Sequence, residues 1–267
     1  MDFLEFKEKD LHQIQHLQPE GWPDIISAFR EYLEFSFTYP VKLSHKGRII
    51  GLGTSVIFGQ NAWLAHIIVD KEFRNRGLGR TIVDYLLASL SDQEPDSISL
   101  IATDLGAPVY YKAGFRKVSD YKFFVKTAGN LTGNPSADIL PYKQEYYQQI
   151  INLDKYITGE NREGLLKKYI SNAYVIIEEQ KISAYYIPGL CEGPILAINP
   201  EAGIEMMKYK YSSINDAVVA SENHNAVDFL LQNGFRETNK IGIRMILKRN
   251  IKWHPESIFS RIGGNYG

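Results

Sequence analysis

Short apolar runs recur along the first half of the chain, and their spacing alternates between two periods. In residues 24–35, Ile25, Phe29 and Tyr32 fall at the i, i+4, i+7 spacing of one helix face. Residues 62–69 are apolar nearly throughout, which is typical of a strand covered on both faces. Patterns of these two kinds predict strands over 2–7, 39–43, 49–58, 62–69, 98–102 and 115–125, and helices over 11–18, 24–35, 79–90 and 108–112.

The second half repeats the alternation. It follows residues 127–136 (TAGNLTGNPS), a stretch rich in turn-forming residues. The pattern predicts helices over 142–157, 162–171, 202–209 and 227–232, and strands over 173–178, 182–187, 194–198, 217–220 and 240–247. We therefore expect an α/β fold with mixed sheets in two tandem domains. The predicted ranges are 1–127, a linker at 128–136, a second domain at 137–250 and a tail at 251–267.

An internal repeat supports a duplicated domain. The segment YKAGFR around Gly114 reappears as LQNGFR around Gly234, 120 residues later. A period of that length is too long for a solenoid unit and suits a duplication of a whole domain. Counted back to the preceding hairpin turns, the second copy is about 13 residues shorter. The missing segment falls where the first copy carries residues 74–80.

Composition and charge exclude several classes of function. Thirty basic and 31 acidic residues give a net charge of −1, without a basic tract for nucleic acid or an anionic membrane. The single cysteine, Cys191, excludes an intramolecular disulfide and a cysteine-rich zinc site. His12 and His16 have an i, i+4 spacing without the glutamate of a zinc-protease helix, so we expect no metal. Apolar runs are too short to span a bilayer and the first twenty residues lack a signal-peptide pattern, which favours a cytoplasmic protein.

The segment Arg74-Asn-Arg-Gly77-Leu-Gly79-Arg80 is the strongest candidate for chemistry. It lies between a predicted strand and a predicted helix. Glycines let the backbone turn tightly and approach a ligand, and the first N–H groups of a helix attract a phosphate. Arginines around that point add positive charge. Taken alone, the same residues also fit an ordinary strand–helix turn with surface arginines.

Residues later in the chain favour a phosphate-binding turn over an ordinary strand–helix turn. The combination of Arg74-x-x-Gly77-x-Gly79, Ala102-Thr103 and the segment VYYKAGF ending at Phe115 resembles the GNAT superfamily of acyl-CoA-dependent N-acyltransferases. Order, spacing and flanking elements match across roughly residues 40–127. The whole chain resembles a tandem GNAT subgroup with a degenerate second half.

The resemblance implies a coenzyme site for acetyl-CoA. Backbone groups of Ile67 and Val69 would pair with the pantetheine arm as an added strand would. Thr103 stands where the family often has an asparagine that contacts the coenzyme. Tyr110 stands at the position of the family's general acid, which protonates the departing thiolate; a core aromatic is the other interpretation. The pyrophosphate would be held by the segment Arg74, Asn75, Arg76, Gly77, Leu78, Gly79, Arg80 and Thr81.

The general base stays open. The family's frequent acidic residue on the central strand falls at or near Trp63, which cannot accept a proton. His66 lies on the same strand, but strict alternation places it on the opposite face to Trp63, as a buried and hydrogen-bonded histidine. Glu31 and Glu34 on the helix of residues 24–35 are alternatives, as is a chain of waters.

The second copy has no counterpart of the glycine loop. Leu230 replaces the tyrosine, and Asn223 remains at the position of Thr103. We expect this copy to keep the fold, to bind no acetyl-CoA and to shape the acceptor pocket. Candidate pocket residues, which a buried hairpin would equally explain, are Tyr185, Tyr186, Cys191 and Glu192.

These observations predict an acetyl-CoA-dependent N-acetyltransferase whose first copy acts on the amine of a small molecule. Nucleic acid and membranes are not expected as partners, and the chain is expected to be a monomer or a homodimer. The alternative function is a non-catalytic acyl-CoA-binding sensor or scaffold.

Overall fold

A computed structural model describes residues 1–127 and 138–267, which form two compact units. The first unit comprises Met1–Arg116, Met245–Arg249 and Tyr266, and the second comprises Lys117–Arg244, Asn250–Asn265 and Gly267. The predicted linker at 128–136 lies outside the described residues. The ranges 1–127 and 137–250 stay a prediction as domain boundaries.

The first unit is built on a mixed sheet. Its strands are ordered β1-β2-β3-β4-β5; pairs from β1 to β4 are antiparallel, and β4 and β5 are parallel. The residues of β12 that belong to this unit, from Met245 onward, continue the sheet beyond β5. The elements are β1 (Asp2–Glu5), α1 (Ile25–Glu34), β2 (Thr38–His45), β3 (Arg48–Phe58), β4 (Asn61–Val69), α2 (Leu78–Ser89), β5 (Ser97–Ala102), α3 (Ala107–Lys112) and the end of β12 (Phe235–Lys248).

Helix α2 lies directly on strand β3, and two glycines make this possible. A Cβ at Gly51 would come within 2.8 Å of the Ile82 side chain, and one at Gly53 within 2.8 Å of Ile82 and 3.0 Å of Leu86. Side chains at these positions would push the helix off the sheet. The glycines therefore set how closely α2 packs against the sheet.

The second unit holds two groups of strands. One has the order β13-β10-β9-β8-β7 with antiparallel pairs, and the other the order β12-β6-β11. The elements are β6 (Arg116–Lys126), β7 (Leu140–Pro141), α4 (Tyr147–Thr158), α5 (Glu163–Tyr169), β8 (Tyr174–Glu178), β9 (Lys181–Tyr186), β10 (Ile195–Ala197), α6 (Pro200–Tyr211), β11 (Asp216–Ala220), α7 (His224–Gln232) and β13 (Ile258–Ser260).

A buried polar cluster anchors α4 in the second unit. Asp154 accepts two hydrogen bonds from Arg162, at 3.1 and 2.6 Å, and one from the Tyr185 hydroxyl at 2.5 Å. All three side chains are buried. Burial and the neighbouring Asp154 raise the pKa of the Tyr185 hydroxyl, which therefore stays protonated and donates. Tyr185 is thus a structural residue of the second unit's interior.

The α/β class and the mixed sheets predicted from the sequence are confirmed. Several features differ from the pattern: α4 begins at Tyr147 rather than at residue 142, β12 begins at Phe235 rather than at residue 240, and the short strands β7 and β13 were not predicted. Within residues 1–127 and 138–267, no helix has both the length and the apolar character needed to cross a bilayer. In the same part of the chain, His, Cys, Asp and Glu side chains do not gather in groups of three or more suited to a metal ion.

Candidate active site

Strands β4 and β5 separate at the centre of the first unit's sheet. Residues Asn61–Trp63 of β4 pair in parallel with Ser97–Ser99 of β5, and the pairing ends there although β4 continues to Val69. Between Ala65 and Ile68, two residues of β4 oppose Gly53 of β3, and the first of them, His66, has φ = +48°. This is a β-bulge, which bends a strand and re-aims its side chains. Beyond Trp63, the edge of β4 on the β5 side, which includes the backbone of Ile67, is not paired with β5.

An eight-residue connection, 70–77, links the end of β4 to the start of α2. The buried Asp70 accepts a hydrogen bond from the Glu72 N–H at 3.0 Å and an ion pair from Arg48 at 2.7 Å. Gly77 ends the connection with φ = +79°, the left-handed region that favours glycine. The loop thus has a fixed base and a sharp turn into the helix.

The N-terminus of α2 presents free donors above this turn. Helix geometry leaves the N–H groups of Leu78, Gly79 and Arg80 without an intrahelical acceptor. A Cβ at Gly77 or Gly79 would meet nothing within 4 Å, so the space next to these donors is open. The donors and the open space fit a pyrophosphate. Leu78 contributes its backbone only, because its side chain is buried.

The N–H group of Thr81, which was also expected near the pyrophosphate, is not one of these free donors. This N–H donates to the Gly77 carbonyl at 3.1 Å, and the Thr81 hydroxyl points to the same oxygen at 3.3 Å. The helix already uses the Thr81 N–H, because Thr81 lies one residue beyond the last free position. Its hydroxyl is the only part of Thr81 left to meet a ligand.

The three arginines of the segment are exposed or half-buried, and each is oriented by hydrogen bonds to neighbouring groups. Arg74 Nε donates to the Val69 carbonyl at 3.1 Å, and Arg76 to the Glu72 carbonyl at 3.1 Å. Arg80 pairs with Asp84 at 2.7 Å and donates to the Lys112 carbonyl at 2.6 Å. Asn75 is exposed at φ = +61°, a conformation that asparagine tolerates better than most residues. Positive charge therefore surrounds the open turn.

Tyr110 lies on α3 in a confined position. A Cβ at Gly106 would come within 3.1 Å of its ring, and the ring meets Phe115 edge-on at 6.1 Å. Burial raises the pKa of the Tyr110 hydroxyl, so the phenol is protonated at neutral pH. The Thr103 hydroxyl accepts a hydrogen bond from the Gly106 N–H at 3.2 Å and so fixes the start of the same helix.

Trp63 and His66 lie on the central strand, where a general base was expected from the sequence. Trp63 is fully buried and belongs to the core. The His66 ring lies among aromatic side chains: its Nδ1 is 2.6 Å from the Tyr32 hydroxyl, and the rings of Trp22 and Phe29 meet it edge-on. Burial lowers the pKa of His66 to about 4, so the imidazole is neutral at pH 7.

Strict alternation along the strand predicted His66 on the opposite face to Trp63, and this rule does not apply to β4. The rule assumes a regular strand, whereas the bulge at His66 interrupts the period of two. Glu31 on α1 accepts a hydrogen bond at 3.2 Å from Tyr266, whose ring also packs on Tyr32. Glu34 is exposed. Neither the bulge nor the contact of Tyr266 carries a signal in the sequence.

The corresponding connection in the second unit has only two residues. Ile198 and Asn199 join β10 to α6, and the Asn199 side chain caps the helix by accepting from the Ala202 N–H at 2.8 Å. Leu230 is buried in the core, where a tyrosine stands in the first copy. Asn223 caps α7 through the Ala226 N–H at 2.9 Å. The glycine turn and its open space are thus found in the first unit alone among the described residues.

The four candidate pocket residues of the second unit have separate surroundings. Tyr186 packs in the core with Tyr174 and Tyr209, while Glu192 forms a two-bond ion pair with Arg261 at 2.6 and 2.7 Å. Cys191 is exposed at φ = +48°. With Tyr185 bound to Asp154, these contacts fit the structural interpretation of the hairpin.

Comparison with protein-family models gives two matches in tandem. Residues 8–126 match a model described as an acetyltransferase (GNAT) domain, and residues 150–260 match a second model of the same description. Each match coincides with one copy of the internal repeat.

The similarity to individual proteins extends over most or all of the chain. The uncharacterized N-acetyltransferase YitH of Bacillus subtilis is 24% identical over 242 residues, which are 86% of this chain and 85% of that protein. The crystal structure of a putative acetyltransferase from Pyrococcus horikoshii has a TM-score of 0.84 at 16% identity, covering 100% of this chain and 95% of the other. A tandem GNAT protein from the clavulanic acid biosynthesis pathway has a TM-score of 0.63 at 12% identity, over 92% and 98% of the two chains.

Proposed function

Because this chain belongs to the GNAT acetyltransferase family and carries two of its domains in tandem, we propose that only the first domain is catalytic. In this proposal it transfers an acetyl group from acetyl-CoA directly to the amine of a small molecule. The observation that supports this proposal is the difference between the strand–helix connections of the two copies. An eight-residue glycine turn with open donors lies before α2, and a two-residue connection lies before α6.

Binding follows from the residues around β4 and α2. The backbone of Ile67 and Val69 would pair with the pantetheine arm, because β5 has already left this part of β4. The N–H groups of Leu78, Gly79 and Arg80 would hold the pyrophosphate. Flanking positive charge would come from Arg74 and Arg76. When bound, acetyl-CoA supplies the acetyl thioester.

Proton transfer is assigned to Tyr110. Its hydroxyl is protonated at neutral pH, as an ordinary tyrosine also is, and burial raises its pKa further. No hydrogen bond to another described residue holds that proton. As the neutral amine forms the new C–N bond and the C–S bond breaks, Tyr110 would give its proton to the leaving sulfur. The proton lost by the acylated nitrogen would pass to water, from which the tyrosinate would be reprotonated. The amine needs only to arrive unprotonated and close to the thioester, since positioning supplies much of the rate.

A small amine fits the charge balance of the chain better than a basic protein tail or nucleic acid. The net charge is −1, and acidic and basic residues are interspersed. The family match favours an acyltransferase over the sensor or scaffold that the sequence alone left open.

The experiment is a release assay for free coenzyme A thiol with acetyl-CoA and a panel of amino acids, polyamines and amino sugars. We expect thiol release above the hydrolysis background with one class of amine. Saturable acetyl-CoA binding without turnover on any amine would contradict the catalytic proposal and favour the sensor.

A further inference from the structure

The C-terminal strand β13 occupies a particular place in the second unit. It pairs antiparallel with β10, through Ile195 against Ser260 and Leu196 against Ile258. On its other side it reaches β11, where the Arg261 N–H donates to the Val218 carbonyl at 3.2 Å. Strand β13 therefore lies between β10 and β11.

The internal repeat identifies this place. Strand β10 precedes α6 as β4 precedes α2, and β11 leads into the helix before Gly234 as β5 leads into the helix before Gly114. In the first unit, β4 and β5 pair briefly and then separate to leave an opening. The space that β13 fills in the second unit thus corresponds to the opening assigned above to the pantetheine arm.

Polar contacts hold the backbone and side chains of β13. The Asn223 amide, at the position that corresponds to Thr103, donates to the Ile258 carbonyl at 3.1 Å. Lys210 donates to the Ser260 hydroxyl at 2.6 Å and to the Gly193 carbonyl at 2.7 Å. Lys210 belongs to α6 and Asn223 caps the start of α7, so two separate elements hold the strand.

Packing adds a shaped seat for one side chain. The Phe259 ring lies so close to α6 that a Cβ at Gly203 would come within 2.4 Å of it. A glycine in a helix interior is unfavourable relative to alanine by roughly 1 kcal/mol, and this contact explains its presence. The Arg261 guanidinium lies over the rings of Tyr121 and Phe123, at 5.2 and 4.9 Å, and pairs with Glu192.

We propose that the second domain binds an extended peptide in its former donor cleft and that residues 258–262 are the resident ligand. Main-chain pairing with β10 gives affinity, as in other cases of strand addition. The seat at Gly203 and the Glu192 carboxylate select an aromatic residue followed, two positions later, by a cation. The contacts that hold the strand lie within the second unit, whereas the identification of the cleft as a former donor site rests on the function proposed above for the first domain.

The first test separates strand and cleft. The full chain with Phe259→Glu, which weakens the resident strand, is mixed with a labelled synthetic peptide of the wild-type residues 255–265, and binding is followed by fluorescence anisotropy. We expect saturable binding of one peptide per chain and a rise in the unfolding temperature. A peptide that itself carries Phe259→Glu should not bind. A folded Phe259→Glu chain that is as stable as the wild type and ignores the wild-type peptide would overturn the proposal.

A second test changes the cleft instead of the strand, in case the Phe259→Glu chain does not fold. Gly203→Leu blocks the seat of Phe259, whereas Gly264→Leu adds the same side chain at a position with open space. Because overpacking is unfavourable by roughly 1–3 kcal/mol, we expect about 5- to 100-fold faster hydrogen exchange in β10, β11 and β13 of the first variant only. Unchanged exchange in residues 258–262, or a loss spread evenly through α4 and β8, would contradict the proposal.

Discussion

Gly77→Glu tests the pyrophosphate site by placing a carboxylate where a phosphate is expected. Gly77 has φ = +79° and open space where a side chain would begin. The folded chain can therefore accept the substitution without a clash. The left-handed backbone is unfavourable for an L-residue by roughly 1–2 kcal/mol, and an acidic group at a helix N-terminus recovers about 0.3–1 kcal/mol of that.

The effect on binding is far larger than the effect on folding. Like charges about 4 Å apart repel by about 4 kcal/mol at an effective dielectric constant near 20. That energy corresponds to a loss of affinity of roughly 10³-fold. At a concentration about 100 times the wild-type dissociation constant, acetyl-CoA should stabilise the wild type by about 2.7 kcal/mol. For Gly77→Glu the same concentration should produce almost no stabilisation.

Thermal unfolding with and without acetyl-CoA measures both effects. Gly47→Glu is the matched control, since Gly47 also has open space and φ = +80° but lies in the β2–β3 hairpin turn. We expect the wild type and Gly47→Glu to rise by about 5–10 °C with ligand, and Gly77→Glu to stay unchanged. An equal rise in both variants would refute the assignment of the glycine turn.

Three further predictions concern single side chains, two in the first unit and one in the second. Tyr110→Phe should leave acetyl-CoA binding unchanged and slow turnover by about 10²–10⁴-fold, measured by thiol release; an unaltered rate would remove Tyr110 from the mechanism. Because burial lowers the pKa of His66 to about 4, the unfolded chain binds a proton below pH 6.5 that the folded chain does not. Stability should therefore fall as the pH drops from 6.5 to 4, and His66→Gln should flatten that slope in urea unfolding; an identical slope would refute the shift. Arg162→Met should lower the free energy of unfolding by roughly 3–5 kcal/mol because it leaves Asp154 buried and unpaired, and adding Asp154→Leu should recover part of the loss; no recovery would contradict this reasoning.

Local chemistry in the sequence predicted the part of the site that depends on backbone conformation. Gly77 and Gly79 mark a turn and an open helix N-terminus because only glycine suits the left-handed turn and leaves the space clear. That the Thr81 N–H is already used within the helix depends on where α2 begins, which the sequence does not fix; a role for Thr81 at the coenzyme site stays a prediction.

Side-chain surroundings were less predictable. The bulge at His66 depends on how β3 and β4 pair, and a rule of strict alternation cannot include it. The contact of Tyr266 with Glu31 joins residues 235 positions apart, beyond the reach of periodicity or spacing. Strand β13 was hidden for the same reason: Ile258–Ser260 is too short to stand out, and only β10 and β11 show where it belongs.

The stoichiometry of acetyl-CoA binding tests the central claim most directly. The claim is that one of the two GNAT domains kept the donor site and that the other did not. Isothermal titration of the full chain should give one acetyl-CoA per chain, and Gly77→Glu should abolish that single site. Two acetyl-CoA molecules per chain, or one that survives Gly77→Glu, would contradict the account.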